Sequence, residues 1–278
     1  MTHDVAAVIV SYNVRDLLLR CIASLRADGV GEIVVVDNAS RDGSAEAVRR
    51  HEPEVTLLAL DTNVGFGAGV NRGAARTSAP HLLIVNPDVV VEPGSTKALV
   101  DALERDRGLG VVGPRIETAD GEVYPSARAF PSVIDAAGHA FLHFLWPTNP
   151  FSRRYRMLDW DRTAARDVDW VAGTHLLVRR TAWDAVGGFD EAYFMYMEDV
   201  DLCWRLRRAG WRTGYEPAAR IAHEIGRSTD QTPYRMILAH HRSMLTFAWR
   251  SSGTAGRLLV PVMAVALGLR TVLAWIQR

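Results

Sequence analysis

The first 115 residues alternate short apolar runs with stretches of helical periodicity. Runs rich in Val, Ile and Leu, with the length of strands buried on both faces, occur at Val5–Val10, Glu32–Val36, Val55–Leu60, His81–Val85 and Leu109–Val112. The segments between them are typical of helices. Because strands alternate with helices, the sequence predicts an α/β fold with a doubly wound, mostly parallel sheet and right-handed crossovers.

The composition excludes several classes of protein. The chain has 278 residues, with 32 basic and 32 acidic side chains, so its formal net charge is zero and no long-range field favours a nucleic-acid partner. Its two cysteines, Cys21 and Cys203, lie within apolar patterns and are expected to be buried free thiols of a reducing compartment. The first residues lack the pattern of a signal peptide, so we expect the active part to stay in the cytoplasm.

Two aspartates directly follow predicted strands, where doubly wound sheets bind ligands. Asp88 ends the turn Asn86-Pro87-Asp88 and is a candidate ligand for a Mg²⁺-like cation. The phosphates of a substrate would complete the coordination shell of that cation. Asp37 is placed to accept a hydrogen bond from a ribose or a base. An ordinary turn at Asp88 and a helix cap at Asp37 are the alternatives.

Three further motifs carry potential chemistry. Glycines recur through Asn63–Gly73, which permits close approach of a ligand, but their spacing is not the dinucleotide fingerprint. Glu198, Asp199 and Asp201 begin a predicted helix; crowded carboxylates raise one another's proton affinity, as a general base requires, although stabilisation by the helix dipole is the alternative. His223 is open to a structural or a ligating role.

Taken in chain order, these motifs resemble the inverting family 2 glycosyltransferases of the GT-A fold, and most of all their bacterial rhamnosyltransferase branch. The resemblance runs from the N-terminus to about His223. The matching motifs are Val10-Ser11-Tyr12-Asn13, Val36-Asp37-Asn38-Ala39-Ser40, Asn63-x-Gly65-Phe66-Gly67-x-Gly69-x-Asn71-x-Gly73, Asn86-Pro87-Asp88, Trp170-x-x-Gly173, Gly187-Gly188-Phe189-Asp190-Glu191 and Glu198-Asp199-x-Asp201-Leu202-Cys203-x-Arg205.

The resemblance implies a role for each motif. Asp199 would be the catalytic base, and Asp88 would bind Mg²⁺ or Mn²⁺ together with His223. Asn86 stands where the family's Asp-x-Asp motif has its first acid, so it is assigned to the donor rather than to the metal. The implied nucleotide-sugar-binding residues are Ser11, Tyr12, Asp37, Asn63, Gly67, Asn71, Asn86 and Glu198.

The resemblance also implies substrates. The donor would be dTDP-L-rhamnose and the acceptor a polyprenyl-diphosphate-linked saccharide of cell-wall or surface polysaccharide synthesis. A single base opposite the leaving group would give inversion, whereas a glycosidase needs two carboxyl groups. A UDP- or GDP-sugar donor and a non-catalytic nucleotide-sugar-binding module are the alternatives; a nicotinamide oxidoreductase is disfavoured by the glycine spacing.

We expect a glycosyltransferase domain at 1–235, with a nucleotide-binding half at about 1–115 and an acceptor half at about 116–235, followed by a helical, membrane-associating extension at 236–278. Leu258–Ile276 is apolar but interrupted by Pro261, Gly268 and Arg270, which favours an interfacial helix over a core helix or a subunit contact. Phe141–Trp146, followed by Arg153, Arg154 and Arg156, is a second aromatic and basic stretch. Together these features predict a peripheral protein of the cytoplasmic membrane face, with homo-oligomerisation left open.

Overall fold

A computed structural model describes residues 2–118, 120–130, 146, 148–157, 159–223, 233–265 and 267–268. The strands are β1 Thr2–Ser11, β2 Val30–Asp37, β3 Thr56–Ala59, β4 His81–Val85, β5 Val89–Val91, β6 Leu109–Thr118, β7 Val123–Tyr124, β8 Ala127–Arg128, β9 Arg166–Val168, β10 Trp170–Val171, β11 His175–Arg179 and β12 Arg212–His223. The helices are α1 Arg15–Ala27, α2 Ser44–His51, α3 Phe66–Ala74, α4 Ser95–Arg105, α5 Pro150–Arg156, α6 Arg180–Val186, α7 Glu198–Arg208, α8 Pro233–Ser251 and α9 Thr254–Arg257.

The main sheet has the strand order β3-β2-β1-β4-β11-β6-β12-β5, with β7 beside β6 and β9 beside β12. Strands β1 to β4 are parallel to one another, and β6 is parallel to β12, which confirms the predicted mostly parallel sheet. The simple alternation does not continue into the second half, because β11 enters between β4 and β6 and is antiparallel to both. A separate pair, β8 with β10, forms a small second sheet.

The core lies on both faces of the main sheet because side chains alternate along each strand. On β1, Ala7 and Ile9 belong to the cluster that packs against α1 and α4, whereas Val8 and Val10 face the cluster containing residues of α3, α6 and α7. Both cysteines are buried and free, as predicted. Burial on both faces explains why these strands read as continuous apolar runs.

The register of the strands brings the predicted polar residues to one edge. Ser11 at the end of β1 pairs with Asp37 at the end of β2, and Ile9 pairs with Val85, so the turn that follows β4 leaves the sheet at the same edge. The end of β12 also reaches this edge, since His223 pairs with Val89 of β5. Residues far apart in sequence therefore meet beyond the carboxyl ends of β1, β2 and β4.

The C-terminal part is helical where it is described: α8 and α9 are followed by helical residues at 260–265 and 267–268. Its apolar side chains include several that face solvent, at Leu238, Trp249, Leu258, Leu259, Val262 and Val265. Over the described residues, no helix combines the length and the apolarity that a membrane span requires. The end of the predicted interfacial segment, from 269 onward, and residues 141–145 of the second aromatic stretch lie outside the described residues.

We expect Gly73→Ala to destabilise the protein, because the added Cβ would lie 2.5 Å from Cγ1 of Val8 and 3.1 Å from Cγ2 of Val36. Overpacking of this kind costs about 1–3 kcal/mol of unfolding free energy, which urea denaturation would measure. Gly31→Ala in β2 is the matched control, because nothing lies within 4 Å of its added Cβ. Equal stability of the two variants would contradict the close packing of α3 on the sheet.

Candidate active site

Asp37 lies at the base of the first part of the site. Its side chain is buried; Oδ2 accepts a hydrogen bond from the Ser40 N–H at 3.1 Å, and Oδ1 has no partner among the described residues. A cavity of about 480 Å³ lies next to it, lined by Tyr12, Ala39, Ser40, Arg41, Leu60, Asp61, Thr62 and Asn63. A buried carboxylate oxygen with spare acceptor capacity suits recognition of an N–H or O–H group.

Asn38, a residue of the motif that follows β2, supports the turn after Asn63 in the cavity wall. Its Oδ1 accepts from the Val64 N–H at 2.9 Å and its Nδ2 donates to the Gly65 carbonyl at 3.1 Å. Asn63 supports the same turn, since its Oδ1 accepts from the Gly65 N–H at 3.0 Å. Ser11 is fully buried, and its hydroxyl has no partner among the described residues.

Gly67 and Asn71 on α3 contact the segment that precedes the acidic motif. A Cβ at Gly67 would lie 3.1 Å from Cβ of Phe189 and 3.8 Å from Cβ of Glu198. The Asn71 amide is used within the protein: Oδ1 accepts from the Phe189 N–H at 3.0 Å, and Nδ2 donates to the Phe189 carbonyl at 2.9 Å and to Glu191. Asn71 therefore connects α3 to the loop that follows α6, and Gly67 allows α3 to approach the start of α7 closely.

Asp88 and His223 form a buried pair at the sheet edge. Nε2 of His223 lies 3.1 Å from Oδ1 of Asp88, and Nδ1 of His223 has no partner among the described residues. No cluster of three or more His, Cys, Asp and Glu side chains suited to a metal occurs in the described part of the chain. A carboxylate and an imidazole fit a divalent cation that takes its remaining ligands from substrate phosphates and water.

Asp199 is held by main-chain donors at the start of α7. Its Oδ2 accepts from the Gly173 N–H at 2.8 Å, and its Oδ1 accepts from the Val200 N–H at 2.8 Å. Glu198 is buried, and its Oε2 has no partner among the described residues. The two acids thus have different environments although they are adjacent in sequence.

These environments separate the two acids in proton affinity. Burial, and then the charge of Asp199, raise the pKa of Glu198 to about 8. Burial also raises the pKa of Asp199, but the two N–H donors and the positive charge of Arg128 oppose that rise. Because more groups stabilise the charged form of Asp199, Asp199 loses its proton first, and Glu198, with a pKa of about 8, stays protonated at neutral pH.

Gly173 and Thr174 lie between the turn that carries Asp88 and the acids at the start of α7. The Asn86 N–H donates to the Thr174 carbonyl at 2.8 Å, while the neighbouring Gly173 N–H binds Asp199. One dipeptide therefore connects the turn that carries Asp88 to the acid at the start of α7. A Cβ at Gly173 would lie 3.3 Å from that of Asp199, which is tighter than an ordinary contact.

Arg128 was not predicted as part of the site. Its guanidinium lies over the Trp170 ring, 5.2 Å from the centroid, and β8 pairs Arg128 directly with Trp170. The contact depends on pairing between β8 and β10, two strands of two residues each, so no local sequence pattern indicates it.

Residues with left-handed backbones precede or flank these motifs. Tyr196 and Met197, at φ 67° and 68°, lead directly into Glu198, and Asn13 and Ala39, at φ 54° and 67°, lie beside the cavity next to Asp37. Such conformations cost about 1–3 kcal/mol each in non-glycine residues and persist where surrounding contacts determine them. They bend the chain sharply at both parts of the site.

We expect Glu198→Gln to stabilise the protein progressively as pH rises from about 4.5 to about 8. An unfolded glutamate ionises near pH 4.3, whereas the raised pKa keeps Glu198 protonated in the folded state up to about 8. Between these values the folded state binds the extra proton, so wild-type stability falls with rising pH, and the loss levels off above 8. Thermal unfolding from pH 4 to 9 measures it, with exposed Glu46→Gln as the control. A difference between Glu198→Gln and wild type that does not change with pH would contradict the raised pKa.

Comparison with known proteins identifies the family. The model of glycosyl transferase family 2 matches residues 6–166, and that of glycosyl transferase family group 2 matches residues 131–277. The chain is 41% identical over 267 residues to the N-acetylglucosaminyl-diphospho-decaprenol L-rhamnosyltransferase of Mycobacterium tuberculosis, with 91% of this chain and 87% of that protein covered. It is 26% identical over 224 residues to rhamnosyltransferase WbbL of Escherichia coli, covering 78% and 81% of the two chains.

The fold is that of solved glycosyltransferases. The mannosyltransferase PcManGT from Pyrobaculum calidifontis, solved in complex with GDP-Man and Mn²⁺, has a TM-score of 0.62 at 16% identity, with 98% of this chain and 74% of that chain covered. This likeness confirms the predicted GT-A fold. A family model that covers more than half of the chain, together with the identity to the mycobacterial enzyme, shows that the chain is a glycosyltransferase and belongs to glycosyl transferase family 2.

Proposed function

We propose that the protein transfers L-rhamnose from dTDP-L-rhamnose to a hydroxyl of a polyprenyl-diphosphate-linked saccharide in cell-wall or surface polysaccharide synthesis. The names of the mycobacterial and Escherichia coli relatives support the sugar, and the mycobacterial name supports the lipid-linked acceptor. The observation that carries the proposal is the link through Gly173 and Thr174, which connects a candidate metal–diphosphate turn to a single candidate base.

The nucleotide of the donor would occupy the cavity of about 480 Å³ beside Asp37. That volume is in the range of small-molecule sites. Asp37 would accept a hydrogen bond from the base, and Tyr12 and Asn63 in the cavity wall would contact the nucleoside. We also assign four further residues to the nucleotide-sugar site: Ser11, Gly67, Asn71 and Asn86. Asn86 would lie near the diphosphate and would not bind the metal.

Asp88 and His223 would hold Mg²⁺ or Mn²⁺ on the donor diphosphate. When bound, the cation supplies neutralisation of the charge that develops on the leaving group. An imidazole ligand suits Mn²⁺ better than Mg²⁺, which prefers oxygen ligands. The distance of 3.1 Å between Nε2 of His223 and Oδ1 of Asp88 supports binding of one cation by both side chains.

Asp199 would act as the base in an in-line displacement. Its carboxylate takes the proton of the acceptor hydroxyl as the oxygen bonds to the anomeric carbon, while the bond from that carbon to the diphosphate oxygen breaks and the nucleoside diphosphate departs. Attack from the face opposite the leaving group inverts the anomeric carbon. Glu198, protonated at neutral pH, would donate to the bound donor sugar rather than compete as a second base.

The C-terminal extension, 236–278, would bring the site to the cytoplasmic membrane face as a peripheral protein. Support comes from the solvent-facing apolar side chains on α8 and after α9, among them Leu258 at 75% exposure. Arg257 lies over the Trp249 ring, 5.4 Å from its centroid, which places a basic group beside an exposed aromatic one. Aromatic and basic side chains together suit the headgroup region of an anionic membrane.

We expect Asp199→Asn to lower kcat for transfer by about 10²–10⁴-fold, with donor affinity unchanged. The amide keeps the size of the side chain but cannot take the proton. Transfer assays with a lipid-linked acceptor measure turnover, and calorimetry measures donor binding. Asp101→Asn on α4 serves as the control, being a surface carboxylate paired with Lys97. Weakened donor binding with normal turnover at saturation would refute the base assignment.

Asp88→Asn and His223→Ala should each weaken donor binding in Mn²⁺ by about 10–100-fold. Chelation of the metal should reduce the affinity of the wild-type protein to the level of the variants, whose own affinity should not change further. Calorimetry with and without chelator measures both, and His51→Ala at the end of α2 is the control. A deficit that persists unchanged after chelation would show that the pair acts without a metal.

A further inference from the structure

The segment that leads into the acidic motif cannot hold its conformation by itself. Tyr196 and Met197 both have left-handed backbones immediately before Glu198, where side chains with a Cβ are disfavoured. On one side the segment contacts α3, because the Phe66 N–H donates to the Phe194 carbonyl at 2.9 Å. The other side contacts α8.

The contacts with α8 fall on the strained residues and their neighbours. The Ser243 hydroxyl donates to the Met195 carbonyl at 2.9 Å. The His240 ring meets the Tyr196 ring edge-on, with centroids 5.1 Å apart. A hydrogen bond to the carbonyl that precedes two left-handed residues fixes where the turn begins.

Arg250 makes a second connection further along α8. It forms an ion pair with Asp190, and its guanidinium lies 5.6 Å from the centroid of the Tyr193 ring. The Tyr193 hydroxyl in turn donates to Asp201 of α7 at 3.3 Å. Arg250 therefore reaches both the beginning of the segment and, through Tyr193, the helix that carries the acids.

These residues occupy one face of α8. His240, Ser243 and Arg250, with the buried Phe247, recur at intervals of three and four residues, which is the spacing of a single helix face. Phe247 meets the Trp204 ring of α7 edge-on at 6.2 Å. Leu238 and Trp249, which are exposed, are eleven residues apart and share the opposite face. The inner face of α8 thus contacts α7 and the segment that leads into it, while the outer face of α8 is the one assigned to the membrane.

We propose that Ser243 and Arg250 are positioning residues. They hold the segment from Asp190 to Met197 so that Asp199 is placed to take the proton of the acceptor hydroxyl. The inference rests on the proposed function, since it concerns turnover by Asp199. It makes the C-terminal extension part of the catalytic apparatus as well as the proposed membrane attachment. Small displacements of a catalytic group reduce turnover far more than they reduce binding.

The test uses the full chain with Ser243→Ala, Arg250→Met and Arg250→Lys. We expect Ser243→Ala and Arg250→Met to lower kcat by about tenfold or more, with KM for the donor within about twofold of wild type. Arg250→Lys should restore part of the turnover, because it keeps the charge beside Asp190. Ser251→Ala is the matched control, since that hydroxyl donates to the Phe247 carbonyl of its own helix at 2.7 Å.

Thermal unfolding separates positioning from folding. Variants that remain folded at the assay temperature and lose kcat support the inference, whereas variants with wild-type kcat overturn it. Activity lost only in proportion to the unfolded fraction overturns it as well. If wild-type protein binds dTDP-L-rhamnose but transfers to no acceptor, the proposed function fails and this inference fails with it. Normal wild-type transfer with unaffected variants overturns the inference alone.

Discussion

The dipeptide Gly173-Thr174 is the connection on which the geometry of the site depends. One residue accepts from the main chain of Asn86, and its neighbour donates to the carboxylate of Asp199. Because Gly173 and Thr174 take part through main-chain groups immediately before β11, the positions of these groups follow from the sheet rather than from flexible side chains. The antiparallel pairing of β11 with β4 therefore links Asp199 to the turn with Asp88.

The same geometry explains how two adjacent acids come to differ. Glu198 and Asp199 follow two left-handed residues, so the chain enters α7 at a sharp bend and presents one acid to the Gly173 N–H and the other to a buried space beside Gly67. Asp199, with the N–H groups of Gly173 and Val200 and the charge of Arg128 beside it, loses its proton first, whereas burial and the charge of Asp199 keep Glu198 protonated at neutral pH. The proposed roles of Asp199 as the base and Glu198 as a neutral hydrogen-bond donor therefore rest on the backbone conformation, since both side chains are carboxylic acids.

Much of the fold was predictable, because strands buried on both faces leave an unambiguous apolar pattern and the polar residues that end them stand out. That is why Asp37 and Asp88 could be assigned to one edge before the structure was known. The position of His223 beside Asp88 depends on a pairing of residues 135 positions apart, which periodicity cannot give. Periodicity likewise does not indicate the roles of Gly173, Arg128 and Asn38. Gly173 acts through a main-chain contact, Arg128 through the pairing of two strands of two residues each, and Asn38 through hydrogen bonds to a loop.

The central claim is that one base, Asp199, drives a direct displacement at the anomeric carbon of the donor sugar. The configuration of the new glycosidic bond tests it most directly, by NMR of the product formed by the wild-type protein from dTDP-L-rhamnose and a polyprenyl-diphosphate-linked acceptor. The account predicts that the product has the anomeric configuration opposite to that of the donor. Retention of the donor's configuration would contradict it, because retention requires either a second nucleophile or attack from the face of the leaving group.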